Sequence, residues 1–287
     1  MLAVFHILNA LLMLLIPLFL GVFIFRKLGA SWRIFGFGML AFIFSQILHI
    51  PFNVWVLNAV MKNLGMDADT PLGLLGISVL AGLSAGVFEE VSRYLGYRFW
   101  LKGPADRTWS SALMFGAGHG GVESIILGLL ALYAFFQIFA LQHGGLDDLP
   151  AAQMEIARAQ VTAYWAVPWY AALLGALERV SALSIHLSAT VIVLQVFRRK
   201  RSRWLLLAIL WHAVVDASAV FVGKTWGIYA AEALVAIFGL TGLAIIFLLR
   251  ETTTKPEPDA PSFGERESPE TEKKLPSLEN LENSRYV

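Results

Sequence analysis

The sequence predicts an all-α, polytopic transmembrane helical bundle of about seven spans over residues 1–250, followed by a disordered cytoplasmic tail over residues 251–287. Three observations point there. Hydrophobic residues make up 57% of the 287-residue chain and charged ones 15%, with a mean hydropathy of +0.65, more apolar than a water-soluble core requires. Seven apolar segments reach the roughly 20 residues that a helix needs to cross a bilayer. Basic residues fall in alternate connections, as expected when Lys and Arg stay on the cytoplasmic side.

The first segment, residues 2–25, has no basic residue before it, is longer than the apolar part of a signal peptide, and runs into Arg26 and Lys27. It reads as a retained span. The others cover residues 32–60, 72–100, 108–141, 167–197, 204–222 and 228–249. Several exceed one crossing, so tilt or local breaks are expected. Pro51 and the glycine-rich run around His119 are the expected irregular points. From Glu251 onward Glu, Pro, Lys, Ser and Thr predominate, a composition that cannot bury enough apolar area to offset chain entropy.

Charge sets the expected orientation. Arg26, Lys27 and Arg33 mark the first connection, Arg98, Lys102 and Arg107 the third, and Arg198, Arg199, Lys200, Arg201 and Arg203 the fifth. The second sets Lys62 against Asp67 and Asp69, the fourth sets Arg158 against Asp147, Asp148 and Glu155, and the sixth has Lys224 alone. The expectation is a multi-pass protein of the cell membrane with its N-terminus outside and its C-terminus cytoplasmic. A net charge of +1 gives no reason to expect nucleic acid as a partner; the lipid bilayer is the expected one. The absence of cysteine excludes disulfides, Cys-ligated zinc, iron–sulfur clusters and a thiol nucleophile.

An ionisable group inside a span costs about 2.5–3.5 kcal/mol on insertion scales, so each needs a partner or a task. The third span carries Glu89, Glu90 and Arg93, the fourth His119 and Glu123, the fifth Glu178, Arg179 and His186, the sixth His212 and Asp216, and the seventh Glu232. His6 and His49 stand alone on apolar helices and read as packed side chains. Residues four apart share a helix face, which pairs Glu89 with Arg93, His119 with Glu123, and His212 with Asp216. Counting about 1.5 Å per residue from the nearest basic connection puts Glu90 about 12 Å deep, His212 about 14 Å, and His119 and His186 about 18 Å. Four helices therefore bring an acid or an imidazole to one layer. Glu178 falls near the opposite end and is expected to pair with Arg179 or a loop group.

Such a layer admits two readings. The groups pair with one another and lock the bundle, or a carboxylate beside an imidazole in a dry pocket acts as general base on water. In the second reading the facing His and Asp donate to an oxyanion or ligate a metal.

The runs Glu89-Glu90-Val91-Ser92-Arg93, Phe115-Gly116-Ala117-Gly118-His119 and His212-Ala213-Val214-Val215-Asp216 resemble a known signature. It is that of the glutamate intramembrane proteases related to the CaaX prenyl endopeptidase and bacteriocin-processing proteins, E-E-x-x-x-R, F-x-x-x-H and H-x-x-x-N/D. The superfamily also takes in PrsW and the gamma-secretase APH scaffold. The chain looks most like its YhfC family of intramembrane metalloproteases, whose intervening helix has a Glu-Arg pair and a His resembling Glu178, Arg179 and His186. The resemblance covers residues 72–249.

The resemblance implies an intramembrane protease in which Glu89 and His119 hold and activate the attacking water. Glu90 and Arg93 would support Glu89 by pairing, and His212 and Asp216 would stabilise the oxyanion. Glu123, Glu178, Arg179 and His186 are supporting residues, and a divalent ion such as zinc would be held by His119, His186 and His212 with a glutamate. Two departures matter. Arg93 stands three residues after Glu90 rather than four, turning it about 100° on the helix, and Asp216 replaces Asn, so it must be protonated to donate or must orient His212 instead. The implied substrate is a membrane-associated peptide or protein. The rival readings are a catalytically inactive scaffold, which predicts that Glu89→Ala leaves function intact, and a proton-coupled transporter, which predicts polar residues through the whole depth.

Overall fold

A computed structural model describes residues 1–146 and 149–250. The tail expected from residue 251, and Asp147 and Asp148 of the fourth connection, lie outside the described residues. Helix α1 (Leu2–Leu28) ends where Gly29 takes a left-handed φ of 69°, the usual way to close a helix. Helix α2 (Trp32–Pro51) starts on Ser31, whose hydroxyl accepts from the Arg33 amide at 3.2 Å. At Pro51 regular helix gives way to a π-helical stretch, Phe52–Leu57, which leads into α3 (Asn58–Asn63). This is the irregularity expected of a residue without an amide hydrogen.

Thr70 caps α4 (Pro71–Phe99) by accepting from the Gly73 amide at 3.1 Å, and Thr108 caps α5 (Trp109–Ala140) through the Ser111 amide at 3.2 Å. The expectation of a break near His119 is corrected here. Helix α5 runs straight through that glycine run, and its irregular turn comes later, over Leu141–Gly145, where Gly144 has φ 122°. The glycines are pressed against neighbouring helices, and that packing holds them helical against their weak propensity. A second difference is α6 (Ala151–Ala166), in a stretch the sequence reading treats as a connection. Its Gln, Glu and Arg residues keep it out of the set of apolar spans. Helices α7 (Leu174–Arg198), α8 (Arg203–Trp226) and α9 (Ile228–Leu248) complete the bundle.

Seven helical segments are long and apolar enough to cross a membrane: Leu2–Leu28, Trp32–Asn63, Pro71–Phe99, Trp109–Gly145, Ala171–Arg198, Arg203–Trp226 and Ile228–Leu248. The chain is a multi-pass, all-helical membrane protein, and no strand occurs among the described residues. Its solvation is inverted relative to a soluble domain. Phe19, Leu48, Trp55, Leu129 and Leu240 face outward, while Glu90, Arg93 and His119 are fully buried, as a lipid surround requires.

Helix α4 lies along α8, and α5 packs against α1, α2 and α7. Close approach of α4 to α8 depends on Gly86, where a Cβ would meet the Ile209 carbonyl oxygen at 2.6 Å. Consecutive spans run in opposite directions, so Arg98, Arg107, Arg198 and Arg203 gather at one end of the bundle, called here the basic end. Just inside it lies an apolar core of Tyr97, Leu101, Phe115, Val191 and Leu194.

Candidate active site

Adjacent glutamates on a helix point about 100° apart, and α4 uses this to serve two neighbours at once. Glu89 turns toward α2 and α5. Its Oε1 accepts from the Gln46 side chain and its Oε2 from Nε2 of His119, both at 3.2 Å. Glu90 turns toward α8 and accepts from Nδ1 of His212 at 2.7 Å. Arg93, one turn on, pairs closely with Glu90 and stands 3.7 Å from Glu89 Oε2. The register change noted in the motif therefore leaves Arg93 able to reach both carboxylates.

Helix α7 closes the other side. His186 meets Arg93 Nη2 through Nδ1 at 2.6 Å and Glu123 Oε2 through Nε2 at 2.6 Å. Arg179 donates to Glu123 at 2.7 Å and pairs closely with Glu178, the partner expected for that glutamate. On α8 the free nitrogen of His212, Nε2, faces Asp216 at 3.4 Å and Glu89 at 3.8 Å. The imidazoles of His119 and His186 have ring centres 5.7 Å apart, and those of His186 and His212 5.8 Å apart. Crowding is tight, since a Cβ on Gly120 would lie 2.6 Å from His186 Cδ2.

The structure thus brings together Glu89, Glu90, Arg93, His119, Glu123, Glu178, Arg179, His186, His212 and Asp216. His49 binds the Ser84 hydroxyl at 3.0 Å and stacks on Phe88, and His6 stacks on Tyr164, so neither joins the group. Gln46 is the residue that motif reading misses. The available signal was an amide in the middle of an apolar span, which needs a partner for the same reason that a charge does.

Four buried atoms of the group, Glu90 Oε2, Arg93 Nε, His119 Nδ1 and Arg179 Nε, have no protein partner, and such atoms call for water or a ligand. A polar cavity of about 130 Å³ lies within the group, walled by Glu89, Glu123, Arg179, His186, His212 and Asp216. On the lipid side of Gln46 and Glu123 lies a separate apolar groove between α2 and α5, of about 360 Å³.

Glu89, His119 and His186 each offer one ligand atom, and these atoms lie within 4.8 Å of one another. Two imidazoles with a carboxylate form a donor set that zinc accepts in catalytic sites. His212, which the sequence reading puts among the ligands, stands beside this group, with Nδ1 engaged by Glu90.

Fold and site together define a polytopic helical membrane protein with an acid–imidazole centre buried inside the bundle. The family model described as YhfC intramembrane metalloprotease matches residues 12–239, and the chain belongs to the YhfC family. A curated relative, the uncharacterized membrane protein YhfC of Bacillus subtilis (strain 168), is 31% identical over 256 residues, covering 86% of this chain and 95% of the relative. No solved structure matches.

Proposed function

We propose that the protein is an intramembrane endopeptidase that hydrolyses a peptide bond in a membrane-associated peptide or protein, with Glu89 as the general base. The observation that carries this reading is the pair formed by Glu89 and His119 at 3.2 Å, buried among spans, with Glu89 lining a polar cavity. Gln46 and Arg93 fix the Glu89 carboxylate from two further directions, so its orientation is set before substrate arrives. Glu89 takes a proton from water as the oxygen attacks the carbonyl carbon, and returns it to the leaving amine when the C–N bond breaks.

His212 supports the tetrahedral intermediate. Held by Glu90 at Nδ1 and faced by Asp216, its doubly protonated form donates from Nε2 toward the space beside Glu89. Asp216 orients His212 and has no need to be a donor itself, which accommodates Asp at a position that is Asn in related motifs.

The family description implies a metal, and Glu89, His119 and His186 would hold it. When bound, a divalent ion supplies a Lewis acid that lowers the pKa of bound water. Glu123, at 2.6 Å from His186 Nε2, is then the carboxylate that orients the ring. The apolar core at the basic end favours hydrolysis over proton-coupled transport, because Tyr97, Leu101, Phe115 and Leu194 interrupt a polar path across the bundle.

The test compares the N-termini of membrane proteins in cells carrying the wild-type chain with those carrying Glu89→Gln. New N-termini that require Glu89, and reappear when purified wild-type protein meets the same segment in proteoliposomes, are the expected result. Identical sets in both strains would end the protease reading and favour a non-catalytic scaffold.

A further inference from the structure

The acid–imidazole group lies between two unlike halves of the bundle. Toward the basic end, each helix that carries a site residue continues into apolar, fully enclosed side chains. Tyr97 follows Arg93 on α4, Phe115 precedes His119 on α5, Val191 and Leu194 follow His186 on α7, and Ala208 precedes His212 on α8; none is more than 1% exposed. Buried polar side chains in this half of α7, Thr190 and Gln195, are spent on carbonyls of their own helix, those of His186 and Val191, at 2.8 and 3.3 Å.

Away from the basic end the trend reverses. Side-chain exposure is 9% for Glu89, 8% for His186 and 4% for His212, then rises to 24% for Glu123, 37% for Glu178 and 39% for Asp216. Asp216 is one turn from His212 toward the Trp226 end of α8. Glu178 is two turns from His186 toward the start of α7. The polar cavity follows the same direction, with Ala182 of α7, Ala219 of α8 and Val235 of α9 in its walls. Partly exposed carboxylates at membrane depth are tolerated where they line water, and a cavity of about 130 Å³ has room for several molecules of it.

We infer that water and the scissile segment reach Glu89 from the membrane face opposite the basic end, through the cleft between α7, α8 and α9. The substrate class is then a segment presented at that face, and not a peptide delivered at the basic end. This rests on the proposed hydrolytic role of Glu89 for its meaning, though not for its test. The mouth of the cleft carries Glu178 and Asp216 with Glu232 nearby, against Arg179 already paired to Glu123 and Glu178. It therefore draws cations more strongly than anions.

The chain contains no cysteine, so single thiols can be introduced without a background. Ala182→Cys and Ala219→Cys report the cleft, Ser202→Cys marks the exposed basic end, and Ala208→Cys marks the sealed half. Each full-length variant is treated with a membrane-impermeant trimethylammonium thiosulfonate, in vesicles of one orientation and in vesicles of the other. Labelling after denaturation confirms the thiol, and size exclusion confirms folding, so either cleft variant carries the test if the other misfolds. The expected result is that Ala182→Cys and Ala219→Cys react from one face only, Ser202→Cys reacts from the other face only, and Ala208→Cys reacts from neither. Cleft thiols that react from the Ser202 face, from both faces or from neither overturn the inference. Because labelling needs no catalysis, that outcome is distinct from a failure of the protease reading, which Glu89→Gln tests.

Discussion

Arg93 donates from Nη2 to Nδ1 of His186 at 2.6 Å, tying α4 to α7 in the centre of the bundle. Arginine has no acceptor, so His186 must present a lone pair at Nδ1 and carry its hydrogen on Nε2, which Glu123 accepts at 2.6 Å. A continuous chain of polar contacts follows from Glu90 through Arg93, the neutral His186, Glu123 and Arg179 to Glu178, crossing α4, α7 and α5. Binding of a cation by His186 requires one of its two nitrogens to be released from this chain.

Removing one member of a buried pair leaves its partner charged and unpaired, at a cost of about 3–5 kcal/mol. Arg93→Ala should therefore lower the unfolding temperature in detergent far more than the double change Glu90→Gln with Arg93→Met, which removes both charges. Thermal unfolding of the two purified variants checks this, and equal losses would mean that the pairing of Glu90 with Arg93 is not what the core depends on.

Gly120 leaves no room for a side chain beside His186. Gly120→Ala puts a Cβ 2.6 Å from His186 Cδ2, whereas a Cβ at Gly36 on α2 meets nothing within 4 Å. A displacement of about 1 Å at a reacting centre costs on the order of 10²-fold in rate. Cleavage rates should drop by about that factor in Gly120→Ala and stay near wild type in Gly36→Ala.

Metal stoichiometry separates the imidazoles. Bound zinc, measured by elemental analysis after purification, should be lost in His119→Ala and His186→Ala. It should be retained in His212→Ala, whose ring lies outside the ligand group. Loss in His212→Ala with retention in His186→Ala would restore the ligand set expected from the sequence.

Asp216 stands 3.4 Å from His212 Nε2 and is far more exposed than His212 itself, at 39% against 4%. A residue that orients His212 tolerates an isostere, so Asp216→Asn should keep more activity than Asp216→Ala, with kcat changing and KM holding. A KM effect alone would move Asp216 from positioning His212 to binding substrate.

The spans and the layer of ionisable groups were legible because each follows from periodicity and rise along a single helix. Partners across helices were not legible from spacing, and the meeting of Glu89 with His119 was expected through the family resemblance alone. His119 and Glu123 share a face by spacing, yet His119 binds Glu89 and Glu123 binds His186, a choice made by which helix packs on α5. Gln46 escaped because one amide has no motif. The glycine run of α5 looked breakable only without its neighbours, and α6 was hidden by a composition too polar for a span and too short in apolar period to stand out. Pro51 was legible because its effect is local.

The central claim is that Glu89 removes a proton from water. Glu89→Gln keeps the shape, can still face Gln46 and His119, and removes the base. With purified protein in proteoliposomes and a segment that the wild type cleaves, the rate should fall by about 10²–10⁴-fold while the variant elutes from size exclusion as the wild type does. Cleavage at the wild-type rate by a correctly folded Glu89→Gln would contradict the claim.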